Sequence, residues 1–133
     1  GWDWFALNLS DGSDLMLSFV RAKDGSFPLV YGTWVGANGV VRHIEADQIT
    51  LTSLGSWTSP HTGATWPSGW RVQIAQIGLD VTVTPELADQ ELNTLESTGV
   101  IYWEGANSVV GSLAGVPVTG RSYVELTGYA TLR

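Results

Sequence analysis

The chain has 133 residues, of which 44% are hydrophobic and 14% are charged, and six Lys and Arg against thirteen Asp and Glu give a formal net charge of −7. This length suits one domain with a hydrophobic core. The acidic balance leaves no basic stripe for phosphates and disfavours binding to anionic lipid. We therefore expect neither nucleic acid nor an anionic membrane surface as a partner.

Cysteine is absent from the sequence, which excludes disulfides and thiolate metal sites and leaves the compartment open. No stretch approaches the length of a membrane-spanning helix, so no integral membrane segment is expected. The chain has no initiator Met and starts inside a strand pattern. We expect it to be a processed chain or a portion of a longer protein.

Residues 2–9 predict a first strand that runs into a tight turn. Alternation places Asp3 on the same face as Phe5 and Leu7, with Trp2 and Trp4 on the opposite face. A carboxylate is rarely buried without a partner. Asp3 is therefore either a paired structural carboxylate, which is the default interpretation, or a functional one.

Further strands are predicted where alternating runs lie between turn residues. Asp-Gly at residues 24–25 and Asn-Gly at residues 38–39 indicate hairpins. Residues 55–69 form a long loop of a kind that is often functional, and residues 85–97 are interpreted as a loop with at most one short helical turn. The remaining predicted strands span residues 14–21, 29–35, 40–44, 47–52, 70–77, 79–84, 100–104, 107–113 and 122–132.

About ten strands without a dependable helix predict an all-β domain over residues 1–133. Seven Trp and sixteen Gly agree with many short strands, tight turns and an aromatic-lined cavity. An antiparallel up-and-down barrel of about 8–10 strands is favoured over a sandwich, because successive hairpins pair neighbours without long crossovers. The interior of such a barrel is wide enough for a small ligand.

Two later strands each carry a Tyr and a Glu two residues apart. Tyr102 shares a face with Glu104, and Tyr123 shares a face with Glu125. Inside a barrel, desolvation would raise the pKa of these carboxyl groups and suit them to general acid–base work. The alternative, favoured because polar faces usually meet water, is that they point outward while Val124 fills the interior.

Other chemistry has less support in the sequence. Arg21 or Arg71 could neutralise an interior carboxylate as a bidentate partner, or could end a strand in solvent. His43 and His61 form no metal pattern with nearby carboxylates, so no metal site is expected. No nucleophile elbow accompanies Ser59, and no phosphate-binding loop is present.

Six stretches stand in order along nearly the whole chain: GWDWF at 1–5, DLML at 14–17, WTSP at 57–60, WPSGW at 66–70, YWEG at 102–105 and GRSYVELTGY at 120–129. Together they resemble the C-terminal half of the lipocalin-like AttH family. That family includes carotenoid 1,2-hydratases (hydroxyneurosporene synthases), predicted secreted hydrolases and, more distantly, fungal kievitone hydratases and Diels–Alderases. The resemblance is much more specific for family than for reaction.

The resemblance implies a calycin-type barrel that is the C-terminal part of a two-barrel architecture, in a secreted or periplasmic protein. It also implies a cofactor-independent hydratase for an apolar isoprenoid- or polyketide-like substrate, in which an acid protonates an alkene and aromatic faces stabilise the cation. Asp3 fits the acid, and Tyr102, Glu104, Tyr123 and Glu125 fit supporting catalytic roles. The expected ligand-binding residues are Trp2, Trp4, Arg21, Trp57, Trp66, Trp70, Arg71, Trp103 and Tyr129.

The family normally has a first barrel and an acidic, aromatic motif just before Trp2, and this sequence contains neither. The strand at Trp2 is therefore expected to have an unpaired edge, which invites a homodimer or pairing with an N-terminal barrel. Two further hypotheses stay open besides the hydratase. One is a non-catalytic lipocalin-like ligand-binding module or a Diels–Alderase-like cyclase, and the other is a structural half-domain that supports the first barrel.

Overall fold

The computed structural model describes residues 1–131, and its regular structure is almost entirely strand. Two single 3₁₀ turns lie at Ala46–Gln48 and Ala75–Ile77. Among the described residues, no helix has the length and apolar character needed to cross a membrane. The strands are β1 Trp2–Leu9, β2 Asp14–Val20, β3 Leu29–Val35, β4 Val41–Ile44, β5 Ile49–Ser53, β6 Ser56–Thr58, β7 Thr65–Pro67, β8 Trp70–Ile74, β9 Leu79–Pro85, β10 Glu91–Asn93, β11 Ile101–Leu113 and β12 Val116–Thr127.

Ten of these strands form one antiparallel sheet that curls into a nearly closed barrel. The strand order is β4-β3-β2-β1-β12-β11-β9-β8-β5, and the short β10 also pairs with β11. Strands β6 and β7 form a separate hairpin. The prediction of an all-β antiparallel barrel of the lipocalin-like kind is confirmed.

The first strand is paired on both sides. Asp3 lies opposite Phe19 of β2 and opposite Leu126 of β12. The predicted unpaired edge at Trp2 is therefore wrong, because the last strand returns to the first and leaves β1 inside the sheet. The sheet path ends instead at β4 and β5.

A side chain from the 3₁₀ turn after β8 contacts the end of the sheet at β4. The Gln76 amide donates from Nε2 to the carbonyl of His43 over 3.0 Å, and its Oε1 accepts from the backbone nitrogen of Glu45 over 3.5 Å. Gln76 thus supplies contacts where a neighbouring strand would otherwise provide a backbone ladder.

Several strand boundaries differ from the predicted ones. The strands predicted at residues 100–104 and 107–113 are one continuous strand, and β12 begins at Val116 rather than at residue 122 and ends at Thr127. The segment with weak helical character contains β10, and the long loop contains β6 and β7. Long-range strand pairing overrides the local glycine signals here. The predicted strand end at Leu132 lies outside the described residues.

Strand β11 changes partner midway, and Gln90 fills the gap. Asn107 pairs with β9 and Trp103 pairs with β10. Between them, the backbone nitrogen of Ala106 donates to Gln90 Oε1 over 2.8 Å, and Gln90 Nε2 donates to the Ala106 carbonyl over 2.9 Å. A Cβ at Gly105 would collide with this amide, so a larger residue there would displace Gln90 from Ala106.

Large aromatic side chains fill the middle of the barrel. The rings of Phe5 and Trp70 meet edge to face with centroids 5.3 Å apart, and Trp70 lies 6.0 Å from Trp103. All three are essentially inaccessible to solvent. Asp3, Phe5, Leu7 and Leu9, which share one face of β1, are all buried.

We expect Gly105→Ala to lower the free energy of unfolding by about 1–3 kcal/mol, the usual cost of forcing an extra methyl group into a packed site. Urea denaturation measures the change. Gln90→Ala is the matched control, since it removes the same backbone contacts without adding volume. Equal stability of Gly105→Ala and the unmodified protein would rule out the tight packing described here.

Candidate functional site

Asp3 is buried at one end of the barrel between a cation and a phenol. Its side chain is about 5% exposed. Arg21 Nη1 donates to Asp3 Oδ1 over 2.7 Å, and the hydroxyl of Tyr129 lies 2.8 Å from Oδ2 and 3.0 Å from Oδ1. Two of the expected ligand-binding residues, Arg21 and Tyr129, therefore contact the residue expected to be the acid.

The strand register explains why these groups meet. Arg21 directly follows β2, which pairs with β1 beside Asp3, and Tyr129 follows β12, which pairs with β1 on the other side. Gly128 has a positive φ of 81°, which glycine adopts without strain and which turns the chain after β12. Arg21 Nη2 also donates to the Thr127 carbonyl over 2.6 Å.

Burial controls the ionisation of this cluster. Desolvation raises the pKa of the Asp3 carboxyl group, although the hydrogen bond from Tyr129 and the charge of Arg21 act in the opposite direction. Burial and the nearby Asp3 carboxylate raise the pKa of the Tyr129 hydroxyl. Tyr129 therefore keeps its proton at neutral pH. The Arg21 guanidinium stacks 3.9 Å from the centre of the Tyr129 ring.

An aromatic contact joins this cluster to the long loop at residues 55–69. The ring of Tyr129 lies 5.4 Å from the fully buried ring of Trp66, and Trp66 Nε1 donates to Glu91 Oε2 over 2.8 Å. Glu91 also accepts hydrogen bonds from the Ser59 hydroxyl at 2.8 Å and from the Thr62 hydroxyl at 2.7 Å. A single carboxylate on β10 therefore holds the loop against the barrel.

No pattern in the sequence indicated a role for Glu91. It lies 25 positions from Trp66, in a segment without a clear strand pattern. No local spacing connects the two residues. The one usable signal was the buried indole, whose N–H requires an acceptor somewhere in the fold.

A small cavity lies beside the Asp3 cluster. It has a volume of about 230 Å³, and Trp2, Ile101, Thr127 and Gly128 contribute to its lining. Gly128 also packs directly against the Arg21 guanidinium. The cavity therefore adjoins the ion pair through Thr127 and Gly128, although Asp3, Arg21 and Tyr129 do not line it.

The other expected catalytic residues lie on the opposite face of the sheet from Asp3. Glu104 and Glu125 are directly opposed on β11 and β12, and Trp2 Nε1 donates to Glu125 over 2.8 Å. Burial and the neighbouring Glu125 raise the pKa of Glu104, while burial and both carboxylates raise that of Tyr123. The outer-face cluster consists of Trp2, Trp4, Tyr102, Glu104, Tyr123 and Glu125.

The remaining expected ligand-binding residues are divided between core and surface. Trp70 and Trp103 are buried in the barrel centre, and the partly buried Trp57 pairs with Trp66 in the β6–β7 hairpin. Arg71 lies outside, where it forms a bidentate pair with Asp80 at 2.8 and 3.0 Å. Within residues 1–131, no three His, Cys, Asp or Glu side chains converge as metal ligands would.

The raised pKa of Asp3 predicts how its contribution to stability changes with pH. The folded state holds the Asp3 proton more tightly than the unfolded chain, whose pKa is about 3.9. This contribution is complete below the unfolded pKa and is lost as pH rises through the folded pKa. As pH rises above about 4, the free energy of unfolding of the unmodified protein should therefore fall relative to that of Asp3→Asn. Urea denaturation across pH measures both free energies, and a relative rise for the unmodified protein would contradict the dominance of burial.

We expect Glu91→Gln to destabilise the protein by about 1–3 kcal/mol, because an amide nitrogen cannot accept the hydrogen bonds that the carboxylate accepts. Cleavage of the loop at residues 55–69 by protease should also become faster. Asp89→Asn is the matched control, since Asp89 contacts His61 of the same loop over 2.8 Å but is exposed. Equal effects of the two substitutions would argue against a special role of Glu91.

Two solved structures are similar to the chain. An AttH protein from Nitrosomonas europaea has a TM-score of 0.83 and 38% sequence identity, over 98% of this chain and 39% of that one. Kievitone hydratase from Nectria haematococca has a TM-score of 0.77 and 23% identity, again over 98% of this chain and 39% of that one, which shows the fold alone. This chain thus spans about two-fifths of the length of both structures. No curated protein sequence matches it.

The sequence model of the AttH-like family matches residues 1–129, which is nearly the whole chain. The barrel topology and the similar AttH structure agree with this match. The resemblance noted in the sequence is confirmed: the chain belongs to the AttH-like family.

Proposed function

We propose that this domain is part of a cofactor-independent hydratase, or of a hydro-lyase running the reverse reaction, for an apolar isoprenoid- or polyketide-like molecule. The proposal rests on one observation, the buried Asp3 carboxyl group with a raised pKa in contact with a tyrosine hydroxyl. An acid that keeps its proton nearer to neutral pH is what protonation of an alkene needs. Membership of the AttH-like family and a barrel fold shared with kievitone hydratase agree with this reaction class.

The Asp3 cluster can catalyse hydration of an alkene in two steps, protonation and then addition of water. The Asp3 carboxyl proton bonds to one alkene carbon as the π bond breaks, which leaves a cation on the other carbon. The indole of Trp2, which lines the adjoining cavity, stabilises that cation. Water then adds to it, and the proton that water releases returns to the Asp3 carboxylate. The reverse sequence eliminates water.

Arg21 and Tyr129 act on Asp3 rather than on the substrate. The guanidinium stabilises the carboxylate after proton delivery, and the phenol, which stays protonated, orients the carboxylate by hydrogen bonding. A carboxylate held by two donors keeps one geometry through the cycle. These are positioning roles.

The adjoining cavity limits what can approach Asp3. Its volume of about 230 Å³ is below the range of roughly 300–1,000 Å³ that holds a complete drug-sized ligand. We propose that one end of the substrate, such as a terminal isoprenoid unit, enters here. The rest of the substrate extends past Trp2.

A non-catalytic binding module is the second candidate. Both Asp3 oxygens already accept hydrogen bonds, one of them from Arg21 and Tyr129 together. A buried pair of this kind can have a purely structural role. In that case an apolar ligand binds beside the cluster and leaves unchanged.

Asp3→Asn distinguishes the two functions in the full-length protein. Incubation with a panel of isoprenoid and polyketide-like alkenes in isotope-labelled water, followed by mass spectrometry, reports hydration. We expect Asp3→Asn to lower turnover by about 10²–10⁴-fold, the usual contribution of a general acid, while ligand binding measured by tryptophan fluorescence persists. Tyr129→Phe should cause a smaller loss.

Asp80→Asn is the matched control, because it removes the carboxylate of an exposed Asp–Arg pair. Its turnover should equal that of the unmodified protein. Turnover that survives Asp3→Asn unchanged would remove Asp3 from the mechanism. Saturable binding without turnover in any variant would favour the binding module.

A further inference from the structure

A second cavity lies at the other end of the barrel from Asp3. It has a volume of about 610 Å³ and opens between the β3–β4 and β11–β12 hairpins, close to Ser10 just after β1. Asp3 stands near the start of the same eight-residue strand, so the two sites are separated by most of the length of β1. None of the residues discussed for catalysis contributes to this cavity.

The cavity wall is mostly apolar. Ile77, Leu113 and Val118 contribute to it, and Val116 lies at the rim with 62% of its surface exposed. The volume falls within the range of roughly 300–1,000 Å³ that is typical of small-molecule sites. The hydrocarbon part of a ligand would therefore be removed from water here.

One cation stands at the mouth of this cavity. Arg42 lies directly opposite Trp34 on neighbouring strands, and its guanidinium is 5.8 Å from the centre of the Trp34 ring. Across residues 1–131, Arg42 forms no ion pair, whereas Arg21 and Arg71 each bind a carboxylate. Its guanidinium donors are available for a ligand.

We propose that this cavity binds an amphipathic monocarboxylate, a molecule like a fatty acid. The alkyl chain packs against Leu113 and Val116, and the carboxylate accepts hydrogen bonds from Arg42. Asp11, which also lines the cavity, has its Oδ1 occupied by the backbone and hydroxyl of Ser13 at 2.9 and 2.6 Å. Among the described residues that line this cavity, Arg42 is the one cationic side chain, so it matches a single carboxylate.

Titration of the protein with dodecanoate below its micelle concentration tests the proposal. Calorimetry should give saturable binding, and amide NMR shifts should cluster at residues 113–118 and 76–77. Dodecyltrimethylammonium has the same chain with the opposite charge and should bind much more weakly. Equal binding of the two molecules, no saturable binding of dodecanoate, or shifts around Gly128 would each overturn the proposal.

Two substitutions with matched controls test the contacts. Arg42→Gln should weaken dodecanoate binding about tenfold or more, while Arg121→Gln, which removes the same charge from an exposed position outside the cavity, should leave it unchanged. Val116→Glu should abolish binding, and Val110→Glu, also on an exposed strand position, should not. Equal effects within either pair would overturn the proposal, whatever the outcome for Asp3.

Discussion

The contacts of Asp3 with Arg21 and Tyr129 require β1 to lie between β2 and the last strand, β12. Transferring a carboxylate from water to a protein interior costs several kcal/mol unless its lone pairs are engaged. The partners come from β2 and from the turn after β12, and both reach Asp3 only because β1 is hydrogen-bonded to those two strands. The sheet closure and the buried charge are therefore one arrangement. Loss of either strand pairing would leave a carboxylate in an apolar interior.

The contacts that depend on this strand pairing extend beyond the ion pair. Tyr129 contacts Trp66, and Trp66 is held by Glu91, which also holds the loop at residues 55–69. Polar contacts and ring contacts alternate along this path, so each buried polar atom has a partner and each ring has a neighbour. Buried polar networks of this kind favour a single arrangement when every member is satisfied. The cavity beside this network is small, with a volume of about 230 Å³.

Sequence reasoning reached part of this arrangement. Alternation in residues 2–9 put Asp3 on the same face as Phe5 and Leu7, and Arg21 was one of two candidate arginine partners for an interior carboxylate. Alternation separates the two faces of a strand, but it does not tell which face is inside when both carry aromatic residues. It therefore could not decide whether Tyr123 and Glu125 face the interior or the solvent. Glu91 and Gln90 could not be found, because their contacts join segments with no local pattern. The predicted strands were divided at Gly105. The side chain that packs against this glycine is Gln90, which lies in another segment and leaves no local signal in the sequence.

The sheet is open between its end strands β4 and β5, and at this seam the side chain of Gln76 contacts the end of β4. Backbone ladders continue between all other neighbours along the sheet path, so opening at β4 breaks fewer hydrogen bonds than opening elsewhere. Local unfolding follows such weak boundaries, and slow fluctuations of the molecule should therefore be concentrated there. Gln76 also lines the cavity near Arg42. The weakest boundary of the sheet therefore adjoins the larger of the two cavities described above.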